Sequence, residues 1–249
     1  MEMDVYKDVH TQVWLENYFS ANKCQKGRNQ VSSLTSHRAS GTILKCYCSR
    51  EWWTTIKCIT ADILLRKAEK NLNTKEFTNN SKKILDVGTG SGCIIVSLLK
   101  ERPKCIATAI DISKNAINVA KTNAKLHQLE NKINFINIDI DKYKSYNYDL
   151  IISNPPYINS IELNRLDDDI KFHEPMLALS GGSDGLREIK KVIIKSKKLL
   201  KINGKLILEI GHKQKNQCLK ILNENGYYIN QVSKDLSGKD RCIVSTKLQ

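Results

Sequence analysis

The residues best suited to chemistry are Asn154-Pro155-Pro156-Tyr157, directly after the run Tyr148-Asp149-Leu150-Ile151-Ile152-Ser153. An amide or aromatic-amine nitrogen is a poor nucleophile because its lone pair is delocalised. Two acceptors that take hydrogen bonds from both of its N–H groups would aim that lone pair and stabilise positive charge developing on nitrogen. The Asn154 side-chain oxygen and the Pro155 backbone carbonyl supply such a pair, and the Tyr157 ring can pack on the planar group. The pattern suits methyl transfer to a planar nitrogen. Asn-Pro also marks turns by itself, so a purely structural turn accounts for the same residues.

The element behind this tetrapeptide must hold it still. Residues 148–153 read as a short buried strand, which stops at Asn154 because two prolines lack N–H groups and fix φ. The residue before a proline is itself driven to extended geometry. Asn154 is therefore presented at the carboxyl edge of a strand, where open α/β sheets bind their ligands.

A second constellation lies upstream. Ile84 to Val87 reads as a strand, Gly88-Thr89-Gly90-Ser91-Gly92 as a turn, and Cys93 to Lys100 as a helix. Glycines let a backbone pass close to a ligand and expose N–H groups at a helix N-terminus. The spacing is neither the dinucleotide fingerprint nor a phosphate-binding loop with its lysine. Asp111 closes the next strand, where it can accept from ribose hydroxyls. Asp139 closes the third, where an adenine edge would lie, with Ile140 able to pack on the ring. A glycine loop with two strand-end acids fits S-adenosylmethionine better than a dinucleotide; a structural turn with solvated acids is the alternative.

The remaining elements follow the same rhythm. Ser113 caps a helix running to about His127. Residues 158–184 form a long connection and Leu186 to Leu200 a helix. Asn203-Gly204 is a break, Lys205 to Ile210 a strand and His212 to Asn225 a helix. Tyr227 to Val232 and Arg241 to Thr246 form a last pair able to run antiparallel at an edge. Alternating strands and helices predict an α/β fold with a doubly wound, mostly parallel, seven-stranded Rossmann-like sheet over residues 81–249. Residues 1–80 are expected to be a small appendage, irregular or partly helical over 1–58. All three tryptophans and four of the eight cysteines lie in those first 58 residues.

The cysteines show no repeated ligand or disulfide spacing, so free thiols and no metal site are expected. No run of apolar residues is long enough to span a bilayer, and no secretory leader opens the chain; a cytoplasmic protein is expected. The net charge of +14 fits proximity to a ribosome or nucleic acid, or a composition rich in lysine whose charges are spread out.

With these stretches in hand, the chain resembles class I S-adenosylmethionine-dependent methyltransferases, and most closely the HemK/PrmC family. That family methylates the glutamine side-chain N5 in the Gly-Gly-Gln motif of peptide chain release factors. Asn154-Pro155-Pro156-Tyr157 is shared with N6-adenine and N2-guanine nucleic-acid methyltransferases. More specific are Phe172-His173-Glu174-Pro175-Met176-Leu177-Ala178-Leu179 with Gly181, Gly182, Asp184 and Gly185, then Glu209-Ile210-Gly211, then Asp235-Leu236 through Asp240-Arg241. The resemblance implies that Gly88, Thr89, Gly90, Ser91, Gly92, Asp111 and Asp139 bind the cofactor while Asn154 to Tyr157 hold the glutamine amide. The other matched residues are read as non-catalytic: Phe172 and Glu174 shape and close the substrate loop rather than do chemistry, His173 is a solvated loop residue, and Asp240 and Arg241 are a structural pair at the last strand. The N-terminus departs from the family pattern. Ser49-Arg50-Glu51-Trp52-Trp53 echoes the start of a hairpin, but Lys57 to Glu69 lacks the proline-rich segment that lines the family's cofactor pocket. The rival expectations are a nucleic-acid amino methyltransferase and a non-catalytic remnant of the family.

Overall fold

The computed structural model describes residues 81–164, 176–235 and 237–249 (Leu177 by its backbone), residue 67, and the backbone of 34–39 and 42–47. The two upstream stretches are strands, β1 (Leu34–Ala39) and β2 (Thr42–Tyr47), paired antiparallel with Leu34 opposite Tyr47 and Ala39 opposite Thr42. An irregular or helical stretch was expected over these residues. Thr42, Ile43 and Tyr47 are residue types that favour strands, and the Ser40-Gly41 dipeptide of the sequence suits a hairpin instead. Ser49 to Trp53, Phe172 to Pro175 and Lys57 to Glu69 apart from Lys67 lie outside the described residues.

From Lys83 the chain alternates strand and helix: β3 (Lys83–Val87), α1 (Cys93–Glu101), β4 (Ile106–Asp111), α2 (Lys114–Leu126), β5 (Ile133–Asn137) and β6 (Tyr148–Ser153). A short helix, α3 (Ser160–Asn164), and a single 3-10 turn at Met176–Ala178 lie in the long connection. Then come α4 (Arg187–Leu199), β7 (Leu200–Glu209), α5 (Lys215–Glu224), β8 (Tyr227–Lys234) and β9 (Asp240–Lys247). The seven strands from β3 onward form one sheet in the order β5-β4-β3-β6-β7-β9-β8. All pairs are parallel except β7–β9 and β9–β8, so the last two strands close an antiparallel edge as expected.

The core lies on both faces of this sheet, which is why its strands are nearly continuous apolar runs. Ile84, Leu150, Ile152 and Ile207 pack with Ile95, Leu98 and Leu99 of α1 on one face. Leu85, Ile151, Leu206 and Leu208 pack with Ile189, Val192 and Ile193 of α4 and Leu222 of α5 on the other. Successive residues of one strand thus serve opposite layers.

Two boundaries differ from the sequence reading. β5 ends at Asn137 rather than at Asp139, because Asp139 Oδ1 accepts from the Asp141 N–H at 2.8 Å and its carbonyl accepts from Lys142 N–H, turning the chain. Asn203-Gly204 does not break the chain before β7 but lies within it. Opposite β6 the register jumps from Tyr148↔Leu200 to Leu150↔Lys205, which is a bulge accommodating Asn203 at φ 63°.

Strand order reverses between β3 and β6. Their carboxyl ends emerge side by side, with Val87 paired to Ser153. A crevice outside this switch point is where doubly wound sheets bind ligands.

Candidate active site

The glycine loop leaves β3 in a tight turn. Gly88, Gly90 and Gly92 have φ of 69°, 58° and 77°, a region that costs residues with a Cβ about 1–2 kcal/mol. The N–H groups of Gly88 and Thr89 donate to the Ile110 carbonyl at 2.9 and 3.0 Å. Gly92 also meets α2: a Cβ there would come 3.1 Å from the Ala120 Cβ. At Gly88 and Gly90 a Cβ would meet nothing within 4 Å, so this part of the loop borders open space.

Asp111 ties the loop to the next unit. One carboxylate oxygen accepts from Gly90 N–H at 2.9 Å and the other from Ser113 N–H at 2.8 Å. Ser113 in turn caps α2, accepting from Ala116 N–H at 3.2 Å. Asp86, at the end of β3, is 1% exposed. Its Oδ2 accepts from Thr89 Oγ1 at 2.7 Å, while its Oδ1 has no hydrogen-bond partner. Burial pushes its carboxyl up to about 7; the Thr89 hydroxyl opposes that shift and the nearby Asp111 charge adds to it. Asp86 was read only as part of the strand. The mark that distinguishes it is burial without full satisfaction, which sequence does not display.

The two proposed adenine-side residues have other engagements. Asp139 Oδ2 accepts from Lys191 Nζ of α4 at 2.8 Å. Burial acts against its ionisation, but the Lys191 bond and the Asp141 N–H outweigh it and hold the carboxyl below its ordinary range. Ile140 is 6% exposed and sits in the core beside Leu85 and Tyr148, so it offers a ligand only that fraction. The apolar side chain exposed next to Asp111 is instead Ile112, at 55%. The carbonyls of Asp111 and Ile112 both accept from Asn137 Nδ2, at 2.9 and 2.8 Å, which steadies this corner.

On the neighbouring strand, Ser153 Oγ donates to the Val87 carbonyl at 2.9 Å, stitching the two loop origins together. Asn154 and Pro156 are half-buried and Pro155 is buried. Neither the Asn154 carboxamide nor the Pro155 carbonyl is occupied by a hydrogen bond among the described residues. The Tyr157 hydroxyl donates to Glu209 Oε1, at the end of β7, at 3.2 Å. The expected Asp240–Arg241 pair is not formed. Arg241 Nε meets Asp235 Oδ2 at 2.9 Å and Asp240 pairs with Lys215 at 3.3 Å, because adjacent strand residues face opposite sides of the sheet.

The Methyltransferase small domain family matches residues 60–167. The chain is 37% identical over 172 residues to the release factor glutamine methyltransferase of Clostridium acetobutylicum, spanning 68% of this chain and 60% of that one. It is 42% identical over 170 residues to the bifunctional methyltransferase of Rickettsia bellii, spanning 68% of this chain and 31% of its relative. The chain is similar to release factor glutamine methyltransferases and matches the Methyltransferase small domain. Its fold is that of the ribosomal protein L11 methylase of Lactobacillus delbrueckii subsp. bulgaricus (18% identity, TM-score 0.52, 76% of this chain and 78% of that one). It is also that of a methyltransferase from Pyrococcus furiosus (18% identity, TM-score 0.54, 74% and 83%). This chain spans less than two thirds of the length of the curated relatives named. The family match opens at residue 60, upstream of the expected boundary at 81.

A methyltransferase domain of this class uses S-adenosylmethionine in general, and the residues present suit it. The open glycine loop leaves room for a ligand, Asp86 Oδ1 is a buried acceptor without a donor, and Ile112 lies beside Asp111 as an exposed apolar surface. Among the described residues no group of His, Cys, Asp and Glu could hold a metal ion, and no helix is long and apolar enough to cross a membrane. The four described cysteines, Cys93, Cys105, Cys218 and Cys242, are free thiols.

Proposed function

We propose that this chain methylates the glutamine side-chain N5 of the Gly-Gly-Gln motif in peptide chain release factors, in the cytoplasm, with residues 81–249 as the catalytic domain and 1–80 as an appendage. The observation that carries the reading is the pair of unengaged acceptors, Asn154 Oδ1 and the Pro155 carbonyl, on the strand adjoining the glycine loop. S-adenosylmethionine supplies an electrophilic methyl group on a sulfonium. Gly88, Thr89, Gly90, Ser91 and Gly92 would cradle it, Asp111 would accept from its ribose hydroxyls, and Ile112, with Asp139 and Ile140 beyond it, would lie toward its adenine. Asn154 and Pro155 hold the two amide hydrogens of the glutamine, and Tyr157 packs against the amide plane. With that donor bound, the amide nitrogen held by Asn154 and Pro155 would gain the methyl group while the sulfur kept the bonding pair, and the nitrogen would release one proton to solvent. The two acceptors act most strongly as nitrogen gains positive charge, which is when stabilisation lowers the barrier.

A nucleic-acid amino methyltransferase is the second reading. Lys114, Lys121 and Lys125 support it: spaced seven and four apart, they line one exposed stripe of α2, without an ion pair or hydrogen bond among the described residues. The deciding experiment is transfer of labelled methyl from S-adenosylmethionine to purified release factor, with Gln→Ala in its Gly-Gly-Gln motif as control. Label on the intact factor alone supports the first reading. Label on RNA and not on protein supports the second, and label nowhere defeats both.

A further inference from the structure

The long connection between β6 and α4 is tied at its neck by a residue that belongs to neither. Gln214 lies at the N-terminus of α5 and is 9% exposed. Its Oε1 accepts from Gly211 N–H at 2.9 Å. Its Nε2 donates to the carbonyl of Tyr157 and to the carbonyl of Gly185, each at 3.0 Å. The orientation of the amide follows from its partners, since one is an N–H and two are carbonyls. Both donors are spent, one on each end of the connection.

The surroundings are built to let this carboxamide in. A Cβ on Gly185 would lie 2.5 Å from the Tyr157 carbonyl and 2.6 Å from Gln214 Nε2. One on Gly211 would lie 2.8 Å from Gln214 Oε1, and one on Gly181 would lie 2.6 Å from the Gly185 carbonyl. Close approach thus requires glycine at all three positions, and Gly185 also has a left-handed φ of 72°. Between the two stapled carbonyls the strands of the neck pair with each other. Ile158 N–H donates to Leu179 at 3.1 Å, Gly181 N–H to Ile158 at 2.8 Å, and Ser160 N–H to Gly182 at 3.1 Å. Tyr157 is thereby fixed at both ends, its carbonyl by Gln214 and its hydroxyl by Glu209.

The geometry points to Gln214 as the positioning residue of the acceptor half of the site, fixing Tyr157, and through it the Asn154-Pro155 acceptors, relative to the ends of the connection. It touches neither the methyl donor nor the reacting nitrogen. Its kinetic consequence rests on the methyl transfer proposed above; its structural consequence does not. Gln214→Glu sets an oxygen against two carbonyl oxygens while keeping the shape, and Gln214→Met removes all three bonds without adding charge.

Two measurements on the full chain test it. Amide hydrogen exchange should accelerate at least tenfold at Ile158, Ser160 and Gly181 in both variants, with the amides of Gly88 and Thr89 unchanged. In methyl transfer to release factor, kcat should fall at least tenfold while cofactor affinity stays within twofold, a split that global loosening would not produce. Unchanged exchange at the neck overturns the staple. Loosened exchange with kcat within twofold of wild type overturns the positioning role. A wild-type chain that labels no release factor defeats the methyl-transfer reading instead, and exchange still decides the staple.

Discussion

The two halves of the site are held by different means. The glycine loop is secured within one stretch of sequence: backbone donors of Gly88 and Thr89 bind Ile110, and Asp111 returns to Gly90 and Ser113. The Asn-Pro-Pro-Tyr half is secured from afar, by Ser153 on Val87, Glu209 on Tyr157 and Gln214 on Tyr157. In the proposed reaction the first half would bind a ligand with many polar groups, for which a preset cradle suffices. The second would hold one planar nitrogen in line with a methyl group, where small misplacements are costly in rate. Distributed anchoring gives that precision because each anchor sits on a different packed strand or helix.

The sharpest way to break the comparison is Asn154→Ala. It should lower kcat about 100- to 1,000-fold, as loss of one charge-stabilising partner does elsewhere, while calorimetry finds cofactor affinity unchanged. A parallel loss of affinity would mean the halves are not separable.

The next effect concerns pH. The ordinary Asp carboxyl titrates at 3.8, and burial raises that of Asp86 to about 7. The folded protein therefore keeps a proton that the unfolded chain releases between those values. The stability this contributes is complete below the lower value and is lost as pH rises through the higher one, by up to ~1.4 kcal/mol per pH unit. Asp86→Asn keeps an acceptor for Thr89 and should not show this loss in denaturant titrations across that window. An identical pH dependence in both proteins would place the titration elsewhere.

Gly92→Ala should cost about 1–3 kcal/mol from its left-handed φ and its contact with Ala120, read as a lowered denaturation midpoint. The smallest effect is Asp111→Ala, about tenfold weaker cofactor binding from losing a carboxylate acceptor, with kcat nearly normal at saturation. A kcat loss larger than the affinity loss would show that Asp111 serves the acceptor half as well.

Legibility followed the same division. The glycine turn and the Ser113 cap lie within a short span, and local rules for turns and caps foretold them; Asp111 was read as a ribose acceptor, and its bonds to Gly90 and Ser113 came only with the fold. The Asn154 strand end was equally plain, because two prolines stop a strand wherever it runs. Gln214 carried no such mark. It reads as an ordinary residue at a helix start, and only the fold brings it to Tyr157 and Gly185. Asp139 reads as a strand end but lies two residues beyond β5, since its own side chain bends the backbone after Asn137. Ile140 looked available until the opposite core layer enclosed it.

By itself the sequence determined the alternation of strands and helices, the glycine loop and the strand end at Asn-Pro-Pro-Tyr, because each rests on steric and periodic constraints acting within a few residues. Tertiary structure alone decided which buried carboxyl stays unsatisfied, which isoleucine is exposed beside Asp111 and which amide clamps the connection. Those outcomes depend on contacts between residues far apart in the chain, where burial and partner geometry, not residue type, set the energy.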